Sequence, residues 1–252
     1  MAVSARSASW EIPADRKAPA VWLGIFWIGI IIGFGVNIPA FLREKPPAAG
    51  VAYLHAAVFV GWLFLLTTQV VLVLRGRITQ HRRLGSKLGY VALLMVPLGL
   101  ATGLTAAAQG HEPPRFIVLH LVDIFGFIAF IALGLKYRAH PAAHKRLMML
   151  AMVSIADPGF ARALGPFVRL FDLYPKTPLE WFTRIFYGNV LLLTLMFGWD
   201  LWRRRRVHPA LLIGGSSLLG AELLTAFAYF NPTWNAIATS IVHAWGYTGG
   251  MP

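Results

Sequence analysis

The sequence contains no cysteine. That excludes disulfides, Cys-ligated iron–sulfur clusters, thiolate metal sites and thioether-attached haem; any metal or haem would have to be held by His, Met or carboxylate. Charge is scarce too: 13% of the 252 residues are Asp, Glu, Lys or Arg, about half the share of a soluble domain. Too few charges remain to cover a globular surface, and they cluster between long apolar stretches. Acidic residues are the scarcest, 10 against 23 Lys+Arg, for a net charge of +13. The basic residues fall in the connections between apolar runs, as the positive-inside rule requires of a membrane protein. No basic domain interleaved with aromatics is left over to bind nucleic acid.

What the sequence has in abundance is apolar length, with 57% of its residues hydrophobic. About 20 consecutive apolar residues cross a bilayer as a helix, and only helices or closed barrels satisfy their own backbone there. The runs are too long and too continuous for barrel strands of about ten alternating residues. Hydropathy predicts an all-α polytopic membrane protein, 1–252 as one domain, with seven spans near 20–42, 52–74, 86–108, 116–136, 146–165, 182–202 and 208–230. Residues 1–19 carry Arg6, Glu11, Asp15, Arg16 and Lys17 and do not read as a signal peptide. They are expected to be a cytoplasmic segment before the 20–230 bundle. Residues 231–252 are expected to form an external tail at the interface, since Trp234, Ile237, Ile241 and Trp245 recur at helical spacing. Sixteen Lys+Arg fall on the N-terminal side of the spans and seven on the other. This bias predicts a multi-pass protein of the cell's inner (plasma) membrane, N-terminus inside and C-terminus outside.

Two hairpins repeat a pattern. Leu54-His55 is followed by Gly61 and then His81-Arg82-Arg83-Leu84; Leu119-His120 is followed by Gly126 and then His144-Lys145-Arg146-Leu147. The second and fourth spans run the same way, so His55 and His120 share one depth near the outer face. His81 and His144 share another at the inner face. The repeat predicts a four-helix core from the second to the fifth span, with a histidine pair near each face.

Paired imidazoles on facing helices are how b-type haem is held, which makes His55, His120, His81 and His144 candidate haem ligands. In layout the chain resembles the dihaem transmembrane cytochromes b of the ascorbate-reducible type, with one ligand on each of four successive helices. That resemblance implies haem b and electron transfer across the bilayer. The spacing departs from the family's: His55 and His81 are 26 residues apart, fewer than in that pattern, which puts His81 at the membrane edge.

A second resemblance is carried by His55, Gln69, His81-Arg82-Arg83-Leu84-Gly85, His144-Lys145-Arg146-Leu147-Met148, the stretch to Arg162, and Asn189. Over about residues 50–205 the chain resembles a bacterial family of multi-helix membrane proteins of unknown function. It departs from that family in having Leu147 where an aromatic is usual, and in Asp157-Pro158. The resemblance implies the membrane fold and no particular activity.

Ionisable groups inside a span cost about 2.5–3.5 kcal/mol each on insertion scales, so they are expected to face the interior. Asp123, three residues after His120, lies on the same helix face. His55, His120 and Asp123 form a candidate set for a non-haem divalent metal; the plainer reading is a carboxylate bonded to an imidazole. Asp157 and Glu222 are candidate proton-pathway residues. Asp200 is expected to pair at the interface with Arg203 to Arg206, and Asn37, Gln69 and Asn189 to be interhelical hydrogen-bonding residues. Three functions stay open at this point: haem-based electron transfer with a redox partner, a small transporter or proton-coupled carrier, and an accessory subunit of a membrane complex. The expected surroundings are membrane lipids.

Overall fold

Six long apolar helices, a bent pair and two shorter helices are seen in a computed structural model that describes residues 16–43, 45 and 48–246. The first fifteen residues of the expected cytoplasmic segment and the last six of the expected tail lie outside the described residues. The helices are α1 (Ala18–Phe41), α2 (Gly50–Leu74), α3 (Ile78–Leu88), α4 (Val91–Ala108), α5 (Ile117–Lys136), α6 (Pro141–Val153), α7 (Asp157–Leu170), α8 (Pro178–Arg204), α9 (Pro209–Tyr229) and α10 (Pro232–Trp245). A 3-10 turn, Pro114–Phe116, leads into α5. No strand occurs among the described residues.

Proline sets many of the boundaries. It occupies the first turn of α1, α6, α7, α8, α9 and α10, where its missing N–H costs nothing. Side chains cap three of these starts: Thr177 accepts from the Glu180 N–H, His208 from Ala210, and Asn231 from Thr233 and Trp234.

Helices α1, α2, α4, α5, α8 and α9 are each long and apolar enough to cross a membrane, and α6 with α7, bent by 41° at residues 154–156, meets the same measure only when the two are taken together. Large apolar side chains face outward: Ile31 is 63% exposed, Ile213 68% and Leu224 70%. In water that surface would be untenable; against acyl chains it costs nothing. The chain is a multi-pass membrane protein.

The sequence placed the third span at 86–108, whereas the structure divides it. Residues 78–88 form α3, which buries no side chain, and the membrane helix begins at Val91. Arg82, Arg83 and Lys87 explain the division, since three cations cannot enter the apolar core with the residues that follow. The fifth span is also two pieces, as Pro158 denies the ladder an N–H.

Packing follows the expected core in part: α2 lies on α4, α4 on α5 and α5 on α6. Beyond that core, α7 packs on α1 and α8, and α9 on α5, α6 and α8. The α1–α7 contact is the tightest. A Cβ on Gly33 would overlap the carbonyl of Gly159, so two backbones touch there and only glycine fits. The main core gathers Phe26, Leu63, Phe127, Leu150, Leu192 and Met196. Helix α10 lies beside α4 and the 3-10 turn, with Val242 buried against Ala107 and Ile117. The tail as far as Gly246 is thus held on the bundle's end.

Candidate functional site

The break between α6 and α7 presents a carboxyl to the middle of the bundle. Asp157 is the first residue of α7 and is 1% exposed. An acid there suits the positive end of a helix, yet neither carboxylate oxygen has a conventional donor. Its carboxyl instead faces that of Asp123, on α5, at hydrogen-bonding range. Two carboxyls in that relation attract only when a proton lies between them.

Glu222, from α9, joins them. It is 1% exposed and electrostatically coupled to both aspartates. The Asn189 side-chain amide on α8, itself fully buried, donates to Glu222 Oε1 at 2.7 Å. Glu222 Oε2 and Asn189 Oδ1 have no partner. Three carboxyls from three helices therefore share one buried region. Asp123 lies six residues into α5, about 9 Å from its start at 1.5 Å per residue.

This region connects to the protein's end through His120. His120 Nε2 meets Glu112 Oε2 at 2.9 Å, and the two side chains are 26% and 23% exposed. Glu112 sits in the loop after α4. Burial pushes its carboxyl up, but the bond to His120 and the nearby charges of His120, Arg162 and His111 outweigh this and hold it below the ordinary value. His120 also acts electrostatically on Asp157, as does Arg162. The Arg162 guanidinium is exposed over the Phe34 ring at 5.1 Å and donates to the Pro158 carbonyl at 3.0 Å. Polar groups thus run from Glu112 through His120 to Asp157, Asp123 and Glu222.

The expected outer histidine pair is close in space. The charge of His120 is felt at His55, and both rings lie on α4. A Cβ on Gly99 would touch His55 Cε1 at 3.7 Å, and one on Gly103 would overlap the His120 ring. Haem does not fit this pair as it is bonded: axial ligation by His120 needs the Nε2 that Glu112 holds. The metal set His55, His120 and Asp123 is not assembled either. Asp123 turns to Asp157, and among the described residues no group of three His, Cys, Asp or Glu could hold a metal ion.

The inner pair is also close. The His81 and His144 rings are 6.3 Å apart, edge to face. His144 Nδ1 donates to the Gly134 carbonyl at 2.8 Å. The buried Gln69 amide, oriented to satisfy both its ends, donates to the His81 carbonyl (3.0 Å) and to His81 Nδ1, and accepts from the Gly85 N–H (2.9 Å). Accepting at Nδ1 leaves the proton of neutral His81 on Nε2, the nitrogen a haem iron would need bare. Burial first, then the charges of His144 and Arg82, hold His81 below its ordinary value against the opposing pull of the Gln69 bond.

Sequence reasoning missed one strong interaction. Arg146 and Asp200, 1% and 0% exposed, form a two-pronged pair: Nε donates to Oδ2 at 2.9 Å and Nη2 to Oδ1. Arg146 Nη1 reaches the Ala142 carbonyl at 2.9 Å, and Asp200 Oδ2 also accepts the His208 N–H at 3.0 Å. Asp200 is thus buried and engaged with Arg146 rather than lying at the interface, and it clasps α6 and the start of α9 to α8. The His-Lys-Arg-Leu motif was the available signal, but its histidines drew the functional reading. Glu112 lies in a loop outside any motif, and no spacing in the sequence pairs it with His120 or pairs Asn189 with Glu222.

Compared with known protein families, curated proteins and solved structures, the chain matches none of them.

Proposed function

We propose that this membrane protein is a small transporter that carries protons, with Asp123, Asp157 and Glu222 as its proton-binding centre and the Glu112–His120 pair as its outer access point. One observation carries the reading: three buried carboxyls from α5, α7 and α9 meet where a spanning helix is broken. Ionisable groups inside a membrane are expensive and are kept where charge has to move. Broken spans are where carriers bind coupling ions, because the free helix ends and unpaired backbone face the site.

Each group then has a task. Asp123 and Asp157 hold a proton between them. Glu222, as carboxylate, takes that proton onto its free Oε2 and leaves the aspartate pair to be reprotonated, while Asn189 fixes the other oxygen. His120 relays between the Glu112 mouth and Asp157, since an imidazole accepts on one nitrogen and gives from the other. The 16-to-7 asymmetry of basic residues supports a cytoplasmic N-terminus. In that orientation the Glu112 end of α5 faces outward and protons reach the centre from outside.

The test is a flux measurement. Proteoliposomes carrying a pH-sensitive dye inside are given a potential, negative inside, with potassium and valinomycin. Wild-type protein should acidify the lumen at least about tenfold faster than empty liposomes, and Asp157→Asn or Glu222→Gln should abolish the excess. The reading fails if wild-type vesicles match empty ones, or if both variants conduct like wild type.

A further inference from the structure

Two arginines at the outer end of the bundle lie over two tyrosines with a third arginine near them, and none of the three makes an ion pair with a carboxylate among the described residues. The Arg115 guanidinium lies 4.5 Å from the centre of the Tyr229 ring. That of Arg184 lies 6.0 Å from the centre of the Tyr174 ring and is coupled to Tyr229 and to Arg169. Arg169 folds back along α7, where a Cβ on Gly165 would lie 3.6 Å from its Nη1. Arg184 Nε is buried with no acceptor. Of the two acids in this segment, Asp172 is exposed and forms no ion pair with these arginines, and Glu180 is committed elsewhere, accepting the Lys176 N–H at 2.7 Å and capping its own helix start with Thr177.

Two guanidiniums held near one another, one with an unmet buried donor, repel unless an anion lies between them. The floor beneath them is rigid. Trp181 stacks on Tyr229 at 4.6 Å, and Phe116 stands edge-on to both. Tyr229 lies seven residues after Glu222, two turns along the same face of α9, so this aromatic layer separates the arginines from the carboxyl centre.

We infer that Arg169, Arg184 and Arg115 form an outward-facing site for an oxyanion, a carboxylate or phosphate group, with Tyr174 and Tyr229 as its walls. Guanidinium forks match the geometry of such oxygens and bind them through charge-assisted hydrogen bonds. The open Arg184 Nε supplies one donor of a fork, and Arg169 closes from the α7 side. The inference is independent of proton transport, because binding is read without it.

The source of the oxyanion is either a free solute or an anionic lipid headgroup, and the experiment separates them. Protein in neutral detergent is titrated with inorganic phosphate by calorimetry. Protein in phosphatidylcholine nanodiscs, with and without phosphatidylglycerol, is melted. Phosphate binding that weakens about tenfold in Arg184→Gln and Arg169→Gln, with Arg75→Gln unchanged on the far face, supports the site with a free anion. Stabilisation by phosphatidylglycerol that both variants lose supports it with a headgroup. Arg184→Lys, which keeps charge and loses the fork, should fall between wild type and Arg184→Gln. If neither ligand gives a response that depends on Arg184 or Arg169, the site does not exist.

Discussion

Replacing Asp200 by Asn should be among the most damaging single changes in this protein, although it alters one atom of a side chain far from the carboxyl centre. Arg146 is 1% exposed and directs its Nε and Nη2 at the two Asp200 oxygens. Asparagine keeps the shape and removes the charge, and its amide nitrogen turns a donor toward the guanidinium. A buried cation left without its partner costs about 3–5 kcal/mol. At about 2–4 °C per kcal/mol for a protein of this size, the apparent melting temperature in detergent should fall by roughly 6–20 °C. The pair as a whole is a different matter. Exchanging both partners for apolar residues, Arg146→Met with Asp200→Leu, removes two desolvated charges together and should recover most of the loss, because a buried pair contributes little beyond its apolar equivalent. The assay is thermal unfolding of the wild type, both single variants and the double. A fall of under about 2 °C in Asp200→Asn, or a double variant no better than the worse single, would refute the reasoning. The His208 N–H, which also donates to Asp200, still finds an oxygen in asparagine and is a reason for testing Asn before Ala.

Gly33→Ala should destabilise by about 1–3 kcal/mol through overpacking, since its methyl would overlap the Gly159 carbonyl; Gly24→Ala, with open space around it, is the matched control in the same melting assay. Gly103→Ala should push His120 off α4 and break its bond to Glu112, reducing proton flux more than it lowers the melting temperature. His81 is held below its ordinary value of 6.5, so the unfolded chain takes up its proton first. Apparent stability should be level above about pH 6.5 and fall as pH drops below it, and His81→Gln should make that fall shallower in melts between pH 5 and 8.

The membrane class was legible because hydropathy is a sum over twenty residues, and no single contact can overturn it. The broken span was half legible: Pro158 announced a disturbance, but the break falls on residues 154–156, where Ser154 turns its hydroxyl to the Ala151 carbonyl and packs beside Gly126. The repeat shows the limit of pattern reading. Arg83 and Arg146 occupy the same place in the two His-(Arg/Lys)-Arg-Leu motifs, yet Arg83 is exposed and Arg146 is the largest fully buried side chain. What separates them is Asp200, fifty-four residues beyond Arg146 on α8, with no such ion pair to Arg83 among the described residues. In the same way Gly126 packs against Ser154 while Gly61 has nothing near it.

A motif fixes spacing along one helix, whereas an ionisable group in a membrane is defined by what other helices bring to it. Asp123 shows this most directly. Its sequence neighbour at helical spacing is His120, which made a metal or an imidazole bond the natural expectation. In the bundle His120 is drawn outward to Glu112, and the break before Asp157 swings a second carboxyl into the space this leaves. A cation-binding metal site would need Asp123 ionised and beside imidazole nitrogen. A carboxyl facing a carboxyl needs a proton instead, and that exchange of partners turns the reading from redox chemistry to proton movement. The distinction is open to direct measurement: with Glu222→Gln as the background, so that the third buried carboxyl contributes no band, infrared difference spectra between pH 5 and 9 should show a protonated carboxyl stretch that disappears on adding Asp123→Asn or Asp157→Asn, because either substitution removes the shared proton. A band that survives both substitutions would assign that proton to another group and dissolve the Asp123–Asp157 pairing as a functional unit.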